Sequence, residues 1–239
     1  MFFFVGLIAA LIGVGGGVFF VPILLAMGYP PDVAVGTSSI AVAFTTTIGG
    51  IGYYREGFYD KRITLKVLLF AYPGVILGVL LSVNVPATVR PAIGLMLIIA
   101  GYRAFRKFMV PQRLQIPGFF LAGLAIGLLG IGGGVILTPL IVSTSPYDLI
   151  YSIGIAYTTK PLLTIPSAIL HLMYGKADVH MGVRIGIFSS LGSYTGSKIA
   201  GRFKENVRFK RAIGALMIST GAYIIVRAFV RERYNRNQS

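Results

Sequence analysis

The chain of 239 residues is 55% hydrophobic and only 12% charged, with a mean hydropathy of +0.80. This composition is typical of an integral membrane protein and argues against a soluble globular domain. The net charge of +15 does not indicate nucleic-acid binding, because the Lys and Arg residues lie in short loops between apolar runs, as membrane orientation signals do. The absence of Cys excludes disulfides, thiolate metal sites and Cys nucleophiles.

The apolar runs are continuous and lack the alternation of β-barrel strands, and several reach the roughly 20 residues that a helix needs to cross a bilayer. We therefore predict an all-α polytopic membrane protein. The predicted segments share an apolar character and follow one another as a broken segment and three helices, twice over: 2–28, 33–54, 64–82 and 88–108, then 117–143, 148–174, 180–201 and 206–230.

The order repeats because the sequence itself repeats. Gly13-Val-Gly-Gly-Gly-x4-Pro22 returns 117 positions later, from Gly130 to Pro139. Asp60 and Asp178 are 118 positions apart, as are the small-residue pairs Gly74/Gly78 and Gly192/Gly196, which would let helices approach closely. We predict one integral membrane domain built from two homologous four-segment repeats, residues 1–112 and 113–239.

Each broken segment allows two topologies. An interrupted spanning helix gives eight spans and parallel repeats. A re-entrant hairpin has arms of about 12 residues, or roughly 18 Å, that reach only the midplane, and it makes the repeats inverted. The distribution of Lys and Arg fits both models. We favour inverted repeats, because transporters with helix breaks at the midplane often use them.

The two glycine clusters are the first candidate site. Irregular backbone at membrane depth is tolerated only where it lines a cavity or is covered by protein. A helix that begins just after Gly17 or Gly134 would point free N–H groups at such a cavity, and these groups favour an anion. The competing interpretation is tight helix packing without a ligand.

Lys160 is the second candidate, because it lies halfway along an otherwise apolar predicted helix. Thr164, Ser167 and His171 follow it at helical spacing on one face, as pathway-lining or proton-coupling candidates. Lys160 could serve as the counter-charge for an anion, or it could pair with backbone carbonyls freed by Pro161 or by the glycine break. In the first repeat, Thr37, Ser38 and Ser39 stand at the place that we match to Lys160.

Acidic residues are absent from the predicted spans, which argues against cation transport. All seven fall in predicted turns, loops or the tail: Asp32, Glu56, Asp60, Asp148, Asp178, Glu205 and Glu232. We find no nucleophile–base pair, metal cluster or P-loop, so we predict neither an enzyme nor a cofactor or metal site.

With the doubled glycine motif, Gly36-Thr37-Ser38 and the pairs Gly74/Gly78 and Gly192/Gly196, nearly the whole chain resembles the sulfite exporter TauE/SafE family. The resemblance implies a small transporter of sulfite, organosulfonates such as sulfoacetate, or related anions. Carried onto this sequence, the resemblance implies that the anion is bound by Gly15, Gly16, Gly17, Thr37, Ser38, Gly132, Gly133 and Gly134. The Gly-Thr-Ser of the second repeat is degenerate, and Tyr157-Thr158-Thr159-Lys160 lies in the corresponding region. We therefore also predict Thr158, Thr159 and Lys160 as substrate-binding residues.

From these observations we expect a multi-pass secondary transporter of the cell membrane that moves a small anion, in the class of sulfite, thiosulfate or sulfoacetate. Its partners would be the anion and the lipid bilayer, and the sequence leaves a homo-oligomer open. Three alternatives stay open at this point: an anion channel, a membrane scaffold or assembly protein, and, most remotely, a membrane enzyme.

Overall fold

The computed structural model describes residues 1–84 and 112–202, so the predicted helices near 88–108 and 206–230 lie outside the described residues. The described part is helical and contains no strand, in agreement with the all-α prediction. A short 3₁₀ turn at Gln112–Leu114 precedes the fifth helix. The helices are α1 Phe2–Ile12, α2 Gly17–Ala26, α3 Pro31–Arg55, α4 Lys61–Asn84, α5 Gln115–Leu129, α6 Gly134–Thr144, α7 Leu149–Thr159, α8 Pro161–Met173 and α9 Val179–Arg202.

A helix is interrupted at each glycine cluster. Helix α1 ends at Gly13 with a φ of 77°, and α2 begins after Gly16 with a φ of 87°. The second cluster repeats this at Gly130 and Gly133, with φ values of 61° and 60°. These left-handed conformations are open to glycine because it has no Cβ, which explains why the chain can turn so sharply inside an apolar run.

Two of the described helices, α3 and α4, are long and apolar enough to cross a bilayer. The outer face of α4 exposes Leu65 and Leu69 by 55% and 68%, and α9 exposes Phe188 by 57%. Large apolar side chains on an outer surface suit contact with lipid chains.

The predicted helix over 148–174 is divided, which corrects that prediction. Helix α7 ends at Thr159 and α8 begins at Pro161, with Lys160 between them in a helical conformation. Proline has no N–H to continue the hydrogen-bond ladder and its ring crowds the preceding turn, so Pro161 interrupts the helix at Lys160.

Helix α3 runs antiparallel to α7 and α8. Near the beginning of α3, the Thr37 hydroxyl accepts a hydrogen bond of 2.9 Å from the Asp178 backbone N–H, which follows α8. Further along α3, Gly50 packs on the carbonyl of Tyr157 in α7. The start of α3 therefore lies at the end of α8, and its later part lies beside α7.

Helix α1 runs parallel to α9. The backbone of Phe3 lies against Gly192, and the side chain of Ala10 lies against Gly196. A leucine or valine in place of either glycine would collide with α1. The close helix approach predicted for this pair is confirmed.

Helices α5 and α4 pack in the same way. Gly74 lies against the carbonyl of Phe120, and Gly78 lies against the backbone of Leu124. Both contacts are backbone to backbone, which requires glycine. Because Phe120 follows Phe3 by 117 positions and Gly192 follows Gly74 by 118, the α5–α4 contact matches the α1–α9 contact with the two halves of the chain exchanged.

A hydrogen bond between a tyrosine and an aspartate lies at each end of the helix assembly. Tyr29, after α2, donates 2.8 Å to Asp178, which lies at the start of α9. Tyr147, after α6, donates 2.6 Å to Asp60, which lies at the start of α4. Since α3 begins next to Tyr29 and ends near Asp60, these two bonds lie at opposite ends of the molecule.

Candidate functional site

The two glycine breaks lie against each other in the interior. Gly17, where α2 begins, packs on the carbonyl of Gly130 and on Ile131, whose Cα would be 2.5 Å from a Cβ at Gly17. Gly134, where α6 begins, packs on the carbonyl of Gly13 in the same manner. These contacts leave no room for any side chain at the start of either helix.

Lys160 reaches this junction from the boundary between α7 and α8. Its side chain is completely buried, and its Nζ donates to the carbonyl of Gly13 at the C-terminal end of α1. The same Nζ lies 4.7 Å from the centre of the Tyr157 ring and next to Gly134 at the start of α6. A buried ammonium group therefore lies beside a helix N-terminus, where the backbone itself favours negative charge.

No carboxylate of the described residues forms an ion pair with Lys160. The ion pairs found in the described residues are Lys176–Asp32 and Lys198–Glu56, both partly exposed. The carbonyl of Gly13 and the Tyr157 ring are the groups that stabilise the ammonium in this conformation. That carbonyl contact is the structural alternative considered above for Lys160, so the geometry accommodates both interpretations.

Lys160, Thr164, Ser167 and His171 form a polar stripe along one helical face, and this stripe lies inside the protein. Thr164 donates 3.0 Å to the Lys160 carbonyl and lies 3.2 Å from the hydroxyl of Thr46 on α3. The hydroxyl of Ser167 is fully buried and has no hydrogen-bond partner among the described residues. Thr164 and Ser167 line a narrow void whose remaining space does not admit a sphere of the size of a water molecule. Its lining residues are Ser39, Val42, Ile126, Gly130, Gly132, Thr164 and Ser167.

His171 ends the stripe on the side towards α4. It is fully buried, and its ring contacts the carbonyl of Ser167 through Nδ1 at 2.8 Å and the hydroxyl of Ser82 through Nε2 at 2.9 Å. The four stripe residues thus share a buried face, as their spacing predicts.

Several of the predicted binding residues meet at this junction. Gly15 faces the Lys160 side chain, since a Cβ at Gly15 would lie 3.7 Å from the Lys160 Cδ. Gly132 faces Val42 and the carbonyl of Val14. Ser38 donates 2.9 Å to the carbonyl of Gly130.

Other predicted residues point elsewhere. Gly16 and Gly133 face the side chains of Phe20 and Ile126. The structure does not bring three predicted threonines to the glycine breaks. The Thr37 hydroxyl accepts a hydrogen bond from the Asp178 backbone N–H, and Thr158 donates to the carbonyl of Ile155. Thr159 donates to the same carbonyl and is hydrogen-bonded to the hydroxyl of Thr64.

The position that matches Lys160 in the first half is Val42, which corrects the match with Thr37, Ser38 and Ser39. Val42 packs on Gly132, as Lys160 packs near Gly15. The sequence carries the signal, because Lys160 follows Val42 by the same 118 positions that separate Asp178 from Asp60. Sequence reasoning also missed Thr46, which contacts Gly15 and bonds Thr164, the residue 118 positions further on.

The hydrogen bond in each Tyr–Asp pair affects the pKa values of the two groups in opposite directions. The hydrogen bond to Asp60 raises the pKa of the Tyr147 hydroxyl to about 12. The pKa of the Asp178 carboxyl lies below its usual value, because the Met181 backbone N–H and the Tyr29 hydroxyl both donate to it. Both bonds therefore persist around neutral pH with the carboxylate ionised and the phenol protonated.

Comparison with known proteins identifies the family. The model of the family described as "Sulfite exporter TauE/SafE" matches residues 1–224. The chain belongs to this family. The resemblance found in the glycine motifs is thereby confirmed, and the protein is a membrane transporter of the TauE/SafE type.

Individual relatives agree with this assignment. The chain is 29% identical over 211 residues to "Probable membrane transporter protein YdhB" of Bacillus subtilis, covering 82% of this chain and 86% of the relative. It is 23% identical over 241 residues to a "Probable membrane transporter protein" of Xylella fastidiosa, covering 94% and 92%. A "Sulfite exporter TauE/SafE family protein 6" of Arabidopsis thaliana is 28% identical over 130 residues, which covers 53% of this chain and 30% of the relative. No solved structure matches.

Proposed function

We propose that this TauE/SafE member is a secondary transporter that carries a small anion across the cell membrane, and that the anion binds where the two glycine breaks meet. The observation that carries the proposal is the fully buried Lys160 ammonium beside Gly134, the first residue of α6. A lysine and a helix N-terminus both attract an anion, and no carboxylate among the described residues neutralises them.

The proposed architecture is a pair of inverted repeats, residues 1–112 and 113–239. Parallel repeats would orient corresponding helices in the same direction. The antiparallel course of α3 against α7 and α8, its counterparts, favours inversion. The contacts of α4 with α5 and of α9 with α1 support a twofold repeat, because each is the other with the halves exchanged.

In this architecture each broken segment is a re-entrant hairpin. Helix α1 has 11 residues and α2 has 10, so each is about 16 Å long, roughly half of the hydrocarbon thickness. The ring of Phe2 lies 6.4 Å from that of Phe20, which suits two arms folded back on each other. Helix α2 leads to Tyr29, bonded to Asp178 at the start of α9, and α9 runs parallel to α1. The beginning of α1 and the end of α2 then lie on the same side of the membrane, in a multi-pass protein.

The substrate class that we propose is a sulfur oxyanion or organosulfonate, in the manner of sulfite, thiosulfate or sulfoacetate. A relative from Arabidopsis bears the name sulfite exporter family protein, and its name supports this class. The compact junction around Lys160 suits a small, highly charged head group better than a long lipid-like anion.

Anion binding would replace one hydrogen-bond partner of Lys160. In the present conformation its Nζ donates to the Gly13 carbonyl, and the adjoining void does not admit water. An arriving anion would take over the ammonium and the free N–H groups of the first turn of α6. A centre closed in this way favours a carrier over an open channel, and saturable uptake with counterflow exchange distinguishes the two.

Lys160→Ala tests the proposal. We expect it to abolish or strongly weaken uptake of radiolabelled sulfite, thiosulfate or sulfoacetate into proteoliposomes. Lys198→Ala is the matched control, because Lys198 is partly exposed and pairs with Glu56. Unchanged uptake by Lys160→Ala, in protein that elutes as a single species, would rule out the role of Lys160.

A further inference from the structure

His171 has a hydrogen-bond environment that suits reversible proton binding. Its Nδ1 lies 2.8 Å from the carbonyl of Ser167. A carbonyl can only accept, so Nδ1 carries a proton in every state of the ring. The second nitrogen, Nε2, lies 2.9 Å from the hydroxyl of Ser82, which can donate or accept.

The Ser82 hydroxyl can donate its single proton either to the His171 Nε2 or to a backbone carbonyl. It is also placed to donate 2.9 Å to the carbonyl of Val79, one turn earlier in α4. When the hydroxyl donates to Nε2, His171 is neutral. When it donates to the Val79 carbonyl, its oxygen can accept a hydrogen bond from a protonated Nε2, and the ring is then an imidazolium with both N–H groups bonded. Rotation of the Ser82 hydroxyl therefore allows His171 to gain a proton.

Among the described residues, the charged groups near His171 already have partners of their own. On α3, Gly36 faces the His171 Cβ, and Asp32 one turn earlier is bonded at 3.0 Å to Lys176. Lys176 follows α8 and donates its backbone N–H to the His171 carbonyl. On α4 the group that faces the ring is the Ser82 hydroxyl, and Lys160 is the cation further along its own helical stripe.

In the present conformation the void does not admit a water molecule, so an anion can extend into it from Lys160 only after the junction opens. Such an anion would supply a negative partner for His171. Ser167 connects His171 to the void. Its carbonyl accepts from His171, while its buried hydroxyl lines the void and has no hydrogen-bond partner in the described part of the chain. An imidazolium at His171 would make the void more favourable for an anion, and a bound anion would favour the imidazolium.

We infer that His171, held by Ser82 and Ser167, is a proton-binding site whose occupancy is linked to the anion, so that one proton moves together with each anion. This inference rests on the proposed anion transport and deepens it by naming the coupled ion. The linkage is reciprocal: a lower pH strengthens anion binding, and anion binding draws in a proton.

Thiosulfate is a suitable probe, because its own charge stays constant over the range in which histidine titrates. For the purified full chain we expect thiosulfate affinity to be at least about 5-fold higher near pH 5.5 than near pH 8. Binding in weakly buffered solution should take up protons. His171→Gln should lose both effects, while His180→Gln, a change at the exposed second histidine, should keep them.

A second measurement does not depend on the His171 variant folding. The His180→Gln protein contains one histidine, so its imidazole NMR signals report His171 alone. We expect thiosulfate to shift the titration midpoint of these signals to higher pH. Unmoved signals, or full pH dependence in His171→Gln, would overturn the coupling while leaving anion transport intact. A wild-type protein that binds and takes up no sulfur oxyanion at any pH would overturn both.

Discussion

The junction of the two glycine breaks can be tested with a single methyl group at Gly134. A Cβ there would lie 2.8 Å from the Cα of Val14 and closer still to the carbonyl of Gly13, whereas ordinary contacts begin at 3.4 Å. These two neighbours are backbone atoms and cannot rotate away, and the Lys160 Nζ also lies against the same Cβ. Gly134 is not among the residues with a positive φ, so Gly134→Ala changes packing without straining the dihedral angles.

The expected effect follows from the displacement. The start of α6 must move by about 1 Å, and overpacking of this kind costs about 1–3 kcal/mol. For a chain of this size that corresponds to a loss of roughly 2–12 °C in Tm. The shift also moves the first N–H groups of α6 away from Lys160. A misplacement of about 1 Å at a functional site can cost about 100-fold in rate, so uptake should fall well beyond the loss of folded protein.

Thermal unfolding in detergent and thiosulfate uptake into proteoliposomes measure the two effects of Gly134→Ala. Gly118→Ala is the matched control, because its methyl meets only the end of the flexible Leu140 side chain. If Gly134→Ala unfolds and transports like the wild type, the breaks are not in the close contact described here, and the site argument fails with it.

Two further substitutions address the ends and the outer helix contacts. A lowered carboxyl pKa stabilises the fold above the unfolded pKa, and that stabilisation is lost as the pH falls through the folded pKa. Tyr29→Phe removes a donor to Asp178, so it should lower the Tm at neutral pH and show a smaller further decrease on acidification to about pH 2.5. Equal acid profiles for both proteins would contradict this. Gly192→Leu should destabilise the protein by about 3 kcal/mol or more, because its side chain would meet the backbone of Phe3, while Leu191→Ala at an exposed neighbour should be nearly neutral by size-exclusion chromatography and Tm.

Much of the helical order could be predicted from local sequence, because hydrophobic runs and glycine clusters act locally. The helices predicted at 33–54, 64–82 and 180–201 differ from α3, α4 and α9 by three residues or fewer at each end. The division at Lys160 carried a local signal as well, since Pro161 disfavours a continuous helix, but the apolar run around it outweighed that signal.

The contacts of the candidate site were only partly predictable. Lys160 could be singled out because a lysine is costly within an apolar run. Its bond to the Gly13 carbonyl joins residues 147 positions apart and depends on how helices pack, which no local pattern reveals. Thr37 and Thr159 were chosen as polar residues close in sequence, and they were missing from the junction because helical rotation turns them towards Asp178 and Thr64.

The difference between the two halves at the junction gives the site its charge. Gly13 and Gly130 each end a helix, and the carbonyl of each would lack a partner in the interior. The Gly130 carbonyl accepts from the neutral hydroxyl of Ser38, whereas the Gly13 carbonyl accepts from the ammonium of Lys160 and, at 3.3 Å, from Thr138. Because Thr138 remains as a donor, the Gly13 carbonyl keeps a hydrogen bond when Lys160 leaves it to bind an anion. Among the described residues, Lys160 is the cation at this junction, and it can change partners, which is the property that the proposed reversible anion site requires.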